Sequence, residues 1–278
     1  MSHPALASGS VAVITGAASG IGLASALTFS ELGMKLALVD QHADKLEAAS
    51  AAANRAGAGG VLAVTADVSN REEMEALAGT VADQFGAVHI LMNNAGIGGR
   101  SSCLSSPQAW DDVLGVNFRG VLNGTQVFGP GMIEHGQPGA IINTGSKQGI
   151  TTPPGNPAYN VSKAALKVFT EALAHELRNT PGHQITAHLL IPGFVHTGMT
   201  GGGAEKPAAA WTAEETVDFF VESLGRGEFY ILCPDNDVPR ALDERRMAWA
   251  AGDIIENRPA LSRWHPDYKD AFEAFVKE

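Results

Sequence analysis

The sequence predicts an α/β protein: one doubly wound parallel sheet of about seven strands, helices on both faces, a single domain. Three observations predict it. Short apolar runs alternate with amphipathic stretches of helical length along most of the chain. The first run, Val11 to Ile14, leads into a glycine-rich turn, T-G-A-A-S-G-I-G from Thr15 to Gly22, and then into an amphipathic stretch ending near Leu32. The second run, Lys35 to Asp40, ends in an acid about twenty positions after that turn, the spacing of a dinucleotide-binding unit.

Each element has its own reason. In the glycine turn, Gly16 allows a sharp bend, and Gly20 and Gly22 let the backbone approach a pyrophosphate at a helix N-terminus. The spacing is G-x-x-x-G-x-G rather than G-x-G-x-x-G. Asp40 suits the adenosine ribose hydroxyls and would repel a 2′-phosphate, and no arginine or lysine lies in the glycine turn or directly after Asp40, so NAD is expected over NADP. A cap of the next helix is the other reading of Asp40. An alanine-rich helix is expected from about His42 to Ala56, then a third strand, Val61 to Val64. Asp67 closes it, placed either to reach an adenine amino group or to cap the helix expected from Ser69 to Phe85. Val88 to Met92 is the fourth strand and runs into N-N-A-G, Asn93 to Gly96, whose small residues leave room for a ligand. Ser106 and Pro107 start a helix that continues to about His135, with polar Asn117 amid apolar neighbours, facing a partner or a water. Ala140 to Asn143 is the fifth strand, delivering Ser146 just beyond its end. Gln184 to Ile191 is the sixth, closed by Pro192 and Gly193, and Glu228 to Leu232 is the seventh.

Composition narrows the class. The 278 residues suit one large domain, and 45% hydrophobic with 18% charged content fits a globular enzyme rather than a disordered chain. At a formal net charge of −11, without a basic patch, neither nucleic acid nor an anionic membrane surface is an expected partner. Two cysteines cannot frame a disulfide scaffold and suit a reducing compartment. The first residues carry no secretory pattern, and no run approaches the ~18 apolar residues of a membrane span, so a cytoplasmic protein is expected. No H-x-x-x-H or clustered Cys/His pattern points to a metal.

The candidate chemistry lies between Asn143 and Lys163. Asn156 followed by Pro157 reads as a capping side chain and a proline in the first helical turn. Tyr159 then sits in that first turn, with Lys163 one turn down on the same face. The helix end and the ammonium both favour phenolate, so the tyrosine pKa is expected to lie below about 10, within reach of acid–base work.

Taken together, T-G-A-A-S-G-I-G, N-N-A-G, Asn117, Ser146, Y-N-V-S-K and P-G-F-V-H-T resemble the short-chain dehydrogenase/reductase family, in the family's order over about residues 8–200. The resemblance implies a catalytic set of Asn117, Ser146, Tyr159 and Lys163. Tyr159 would exchange a proton with the substrate oxygen, which Ser146 would hold. Lys163 would bind the nicotinamide ribose, and Asn117 would seat a water linking it to solvent. Cofactor contacts would come from Gly16, Ser19, Gly20, Ile21, Gly22 and Asp40, from Asp67 and Val68 flanking the adenine, and from Asn94, Ala95 and Gly96. Tyr159, Lys163, Pro192, Gly193, Val195 and Thr197 would complete them, Thr197 holding the carboxamide. The implied activity is NAD-dependent interconversion of a secondary alcohol and a ketone by a homodimer or homotetramer. A non-catalytic dinucleotide sensor or scaffold and an NADPH-linked ketoreductase are the alternatives.

The remaining segments set substrate choice. Ile150 to Asn156, with two prolines, is a stiff link between Ser146 and Tyr159. Residues 198–211, glycine- and alanine-rich, are expected as a lid loop, with an exposed linker as the other reading. The C-terminal extension, 234–278, carries enough aromatic residues to pack on its own domain or a neighbouring subunit, or to close the cleft. From Arg240 onward it has seven basic and eight acidic residues, so no anionic-substrate site is expected there. Arg100 and Lys147 are the cations expected near the cleft, and the substrate is expected to be neutral and bulky or aromatic.

Overall fold

The computed structural model describes residues 2–201 and 205–277. Seven strands form one fully parallel sheet: β1 (Val11–Thr15), β2 (Lys35–Asp40), β3 (Gly60–Thr65), β4 (Ile90–Asn93), β5 (Pro138–Thr144), β6 (Gln184–Ile191) and β7 (Tyr230–Leu232). Their order is β3-β2-β1-β4-β5-β6-β7, so the winding reverses between β1 and β4. That reversal opens a crevice at the carboxyl ends of the strands, where ligands bind in such sheets.

Strand alternation sorts the core into two layers. Ile14, Leu36 and Leu38 face one side, against α1 (Gly20–Glu31), α2 (Ala43–Arg55) and α8 (Ala213–Gly225), through Phe29, Leu46 and Phe220. Val11, Val13 and Val39 face the other, against α3 (Arg71–Phe85), α5 (Gly120–Glu134) and α7 (Pro157–Asn179), through Leu77, Phe128 and Leu177. Burial on both faces is why the strands read as apolar runs rather than alternating ones.

The helix expected from Pro107 to about His135 is not uniform. It runs as α4 (Pro107–Leu114), a π-helical turn (Gly115–Arg119) and α5. The wide turn carries Asn117 at its centre, and such turns gather at functional positions. A short helix, α6 (Gln148–Thr151), runs into the start of the expected stiff link, Ile150 to Asn156, and ends at Thr152 in left-handed conformation (φ 42°). Gly149 has to be glycine there, because a Cβ would stand 2.6 Å from the Lys163 backbone.

The C-terminal extension packs on its own chain. It forms α9 (Arg240–Ile255), 3-10 turns at Ser262–Trp264 and Pro266–Tyr268, and α10 (Lys269–Phe275). Trp249 is its buried anchor, 5% exposed, with Phe272 and Phe275 edge-on and the Arg258 guanidinium 4.0 Å from its ring centroid. Among the described residues no helix is long and apolar enough to cross a membrane.

Candidate active site

The crevice over β1 and β4 is a cleft of about 560 Å³. All the sequence-derived candidates line it except Gly22 and Asn117, which lie directly behind its wall. Gly16 and Gly20 have positive φ (66° and 53°), and Gly16 crosses so close to the chain leaving β4 that a Cβ would meet Ala95 Cα at 2.9 Å. A Cβ on Gly22 would sit 2.2 Å from the Gly16 carbonyl oxygen, so that glycine serves the packing of α1 beneath the loop. These glycines keep the backbone bare at the N-terminus of α1, where an anion is favoured.

Hydrogen bonds fix the rim. Asp40 accepts from Ala18 N at 3.1 Å and from His42 N at 3.1 Å, tying the end of β2 to the glycine loop. It does not cap α2 through its side chain beyond that contact; its other close neighbour is His42 Nδ1 at 2.9 Å. Asp67 accepts from Ser69 N and Oγ (2.9 and 2.8 Å), while Asn70 caps α3, so the capping reading of Asp67 gives way to a place on the cleft rim. Asn94 receives Thr144 Oγ1, donates to the Thr15 carbonyl oxygen at 3.1 Å and takes its backbone support from Thr15 Oγ1 at 3.0 Å, which stitches β1, β4 and β5 together. Thr15 gave no functional signal in the sequence.

At the far end the cleft reaches Ser146, Tyr159 and Lys163. Lys163 is buried, and its ammonium donates to the Thr144 carbonyl oxygen at 2.7 Å. Asn117 accepts from Ile97 N at 2.8 Å and donates to Ile97 O and Ser162 Oγ, so its amide is met by protein groups. A Cβ on Gly96 would approach both Asn117 Oδ1 (3.4 Å) and Lys163 Nζ (3.7 Å), which places the two side chains around one small space.

Two expectations are corrected here. Burial raises the Tyr159 phenol above its ordinary value, and the Ser146 hydroxyl beside it pulls the other way without prevailing. The lowering expected from the helix end and the lysine is outweighed by burial, and Lys163 is itself desolvated, its pKa lowered to about 8. Asn156 does not cap α7. Its amide donates to Gly98 O and Gly99 O (both 3.0 Å) and its oxygen accepts from Ser101 Oγ at 2.7 Å. Ser101 Oγ in turn accepts from Ala158 N at 3.0 Å, so a serine from another loop does the capping.

Around this end, Lys147 points away from the cleft. Its ammonium reaches Asp235 (3.2 Å) and Asp243 (2.5 Å). Asp235 also accepts from Phe194 N at 3.2 Å, and a Cβ on Gly193 would strike its Oδ2 at 2.5 Å. Arg100 is exposed at the loop edge, whereas His42 and Lys45 line the crevice beside Asp40. Residues 202–204 of the expected lid lie outside the described residues. Of its described part, Gly198–Thr200 forms a 3-10 turn, and Asn236 holds the carbonyl oxygens of Ala208 and Ala210.

The sequence profile described as short chain dehydrogenase matches residues 10–208. The 1-deoxy-11-beta-hydroxypentalenate dehydrogenase of Streptomyces exfoliatus is 32% identical over 264 residues, 91% of this chain and 93% of the relative. A short chain dehydrogenase/reductase from Burkholderia phymatum in complex with NAD superposes at TM-score 0.82, with 34% identity over 90% of this chain and 96% of the other. The alcohol dehydrogenase of Thermococcus sibiricus complexed with 5-hydroxy-NADP gives TM-score 0.70, at 27% identity over 77% of this chain and 90% of the other. The family thus holds NAD and NADP types on one frame, and the profile match covers well over half the chain at the segments that build the cleft. The chain belongs to the short-chain dehydrogenase/reductase family of oxidoreductases.

Proposed function

We propose that the protein is an NAD-dependent dehydrogenase/reductase that interconverts a secondary alcohol and a ketone, with Tyr159 exchanging the proton at the substrate oxygen. The observation that carries this reading is that one continuous cleft joins the bare glycine loop and Asp40 to Ser146, Tyr159 and Lys163. A nicotinamide dinucleotide fits that cleft: Gly16 and Gly20 leave the space a side chain would fill, α1 offers its N-terminus, and Asp40 stands where ribose hydroxyls are met. The bound cofactor supplies the hydride acceptor or donor.

The chain's own residues do the rest. Asp40, Asp67 and Val68 hold the adenosine end, and Asn94, Ala95 and Gly96 shape the middle. Lys163, Pro192, Gly193, Val195 and Thr197 hold the nicotinamide end. Ser146 Oγ donates to the substrate oxygen and keeps it against the phenol. Tyr159, held neutral by burial, is the proton donor for reduction; for oxidation it needs a further positive charge in the cleft to bring its pKa down. The buried Lys163 ammonium and Asn117 flank the route by which that proton is replaced.

Asp40 disfavours a 2′-phosphate, which supports NAD. The second reading, NADP-linked reduction, draws on His42 and Lys45 beside it. The two free cysteines, Cys103 and Cys233, suit a reducing, cytoplasmic setting. Val161 and Val168 stand 46% and 63% exposed on α7, consistent with a homodimer or homotetramer, which sedimentation velocity tests. Met199 lines the cleft from residues 198–211, in keeping with a lid there.

The test is Tyr159→Phe. NADH formation, screened over aliphatic, aryl, steroid and sugar alcohols, falls by about 10²- to 10⁴-fold, while NADH binding by fluorescence stays unchanged. Equal turnover by the variant would end the proton-transfer role.

A further inference from the structure

The C-terminal extension encloses a second cavity of about 390 Å³, which shares no lining residue with the cofactor cleft. Ile150, Thr151 and Thr152 form one wall, and α9 with the turn after it forms the other. That volume is at the small end of ligand sites. The lining is largely apolar, with Met247, Ile254, Leu261 and Trp264 among it. Leu261 and Trp264 are each 39% exposed and Ile254 87%, so the apolar wall extends to solvent.

Two arginines, Arg246 and Arg263, line this apolar surround. Two other cations nearby have carboxylates: Lys147 has Asp235 and Asp243, and Arg258 has Asp253. Arg246 and Arg263 pair with none among the described residues. Arg246 Nε is buried without a hydrogen-bond partner, a costly state for a charged donor. Arg263 rests over the rings of Trp264 (4.8 Å) and Phe272 (5.0 Å) rather than against an anion. Burial and then the charge of Arg246 hold its pKa below the ordinary value, so the two guanidiniums feel each other.

The carboxylate lining the cavity, Asp253, is already engaged. It accepts from Arg258 Nε at 3.0 Å and from Ser262 N at 3.1 Å. Asp243 attracts both arginines, but its partner is Lys147. Among the groups that line the cavity or pair beside it, Lys147, Arg246, Arg258 and Arg263 stand against Asp235, Asp243 and Asp253, a surplus of one positive charge. Glu256, which also touches Arg258, is 61% exposed and solvated. A surplus of one favours a monoanion over a dianion, and two forked donors favour a planar carboxylate.

We infer that this cavity binds a small amphipathic carboxylate, its head group between Arg246 and Arg263 and its apolar body against Ile150, Met247 and Trp264. The occupant would brace the segment that follows directly from Ser146. Two sources share this chemistry, a free carboxylate or the remote end of the enzyme's own substrate.

The test is calorimetric titration of the full chain with octanoate and with octanol, repeated on Arg246→Gln and Arg263→Gln. Octanoate binds about tenfold or more tightly than octanol. Each variant weakens octanoate by about tenfold and leaves octanol and NADH binding as they were, NADH fluorescence reporting that the fold is intact. Arg246→Lys keeps an intermediate affinity. Equal affinity for octanoate and octanol, or octanoate binding unchanged in both glutamine variants, would overturn the inference. Binding does not depend on turnover, so it stands or falls apart from the proposed reaction. Octanoate inhibition competitive with the best alcohol of the substrate screen identifies the substrate's remote end as the source. Inhibition of another type, or none, identifies a separate ligand.

Discussion

Replacing Lys147 with methionine keeps the side-chain stem and removes the charge that two buried carboxylates share. The side chains of Asp235 and Asp243 are 5% and 7% exposed, and that of Lys147 is 17% exposed, so solvent screens little of the interaction. Removing one partner of such a cluster costs about 3–5 kcal/mol, chiefly because the other charges stay buried and uncompensated. Asp235 retains Phe194 N at 3.2 Å and Val238 N at 2.9 Å, which offsets part of the loss. We therefore expect about 3 kcal/mol, less than the whole stability of a domain this size, so the variant still folds.

The pH dependence identifies the cause. Burial already raises the Asp243 carboxyl above its ordinary value, and Lys147 opposes that shift. Without Lys147 the opposition is gone, and the folded-state pKa rises further above that of the unfolded chain. The folded variant then binds protons more readily than the unfolded one, so its stability recovers as pH falls through the raised folded value toward about 4. Urea unfolding of wild type and Lys147→Met, followed by circular dichroism at several pH values, should show a deficit that is largest near neutral pH and shrinks on acidification. A loss below about 0.5 kcal/mol, or a deficit independent of pH, would show that the ammonium does not hold these acids.

Three further outcomes are expected. Asp40→Ala should lower kcat/KM with NAD by about tenfold and leave NADP nearly unchanged, narrowing the preference; a wild type already faster with NADP would show the cofactor assignment wrong. Ser101→Ala removes the cap on Ala158 N and one anchor of Asn156, and should cost about 1 kcal/mol in urea unfolding; no measurable loss would return the capping role to another group. His3, 6.1 Å from His188 between ring centroids, has its pKa lowered to about 4 by burial and then by His188. The unfolded chain takes up that proton first, so stability is full above about pH 6.5 and is lost as pH falls toward 4, and His3→Gln should flatten that part of the urea-midpoint profile.

The sequence defines β2 and β6 to the residue, Lys35–Asp40 and Gln184–Ile191, because apolar runs between turn signals leave little choice of boundary. The two-sided burial of the sheet followed from the same runs, and the gathering of the glycine turn, Asp40, Ser146, Tyr159 and Lys163 at one crevice followed from the resemblance to the family. What stayed hidden depends on groups distant in the chain. Asn156 has the identity and position of a cap, yet the loop at Gly98 and Gly99 competes for its amide and Ser101 takes its place. The phenol of Tyr159 was expected to answer to its helix and its lysine. Its burial is a property of the folded cleft, and burial is the larger influence on it.

The charges of the extension carry the same lesson further. Counted along the chain from Arg240, seven basic and eight acidic residues nearly cancel. Folding does not pair them in sequence order. Lys147, from outside the extension, takes Asp243, while Arg258 takes Asp253 across a single turn. Arg246 and Arg263 are then left facing one apolar cavity with no carboxylate of their own among the described residues. A segment neutral by composition thus presents a positive interior, because ion pairing is decided by which side chains share a buried space rather than by their totals.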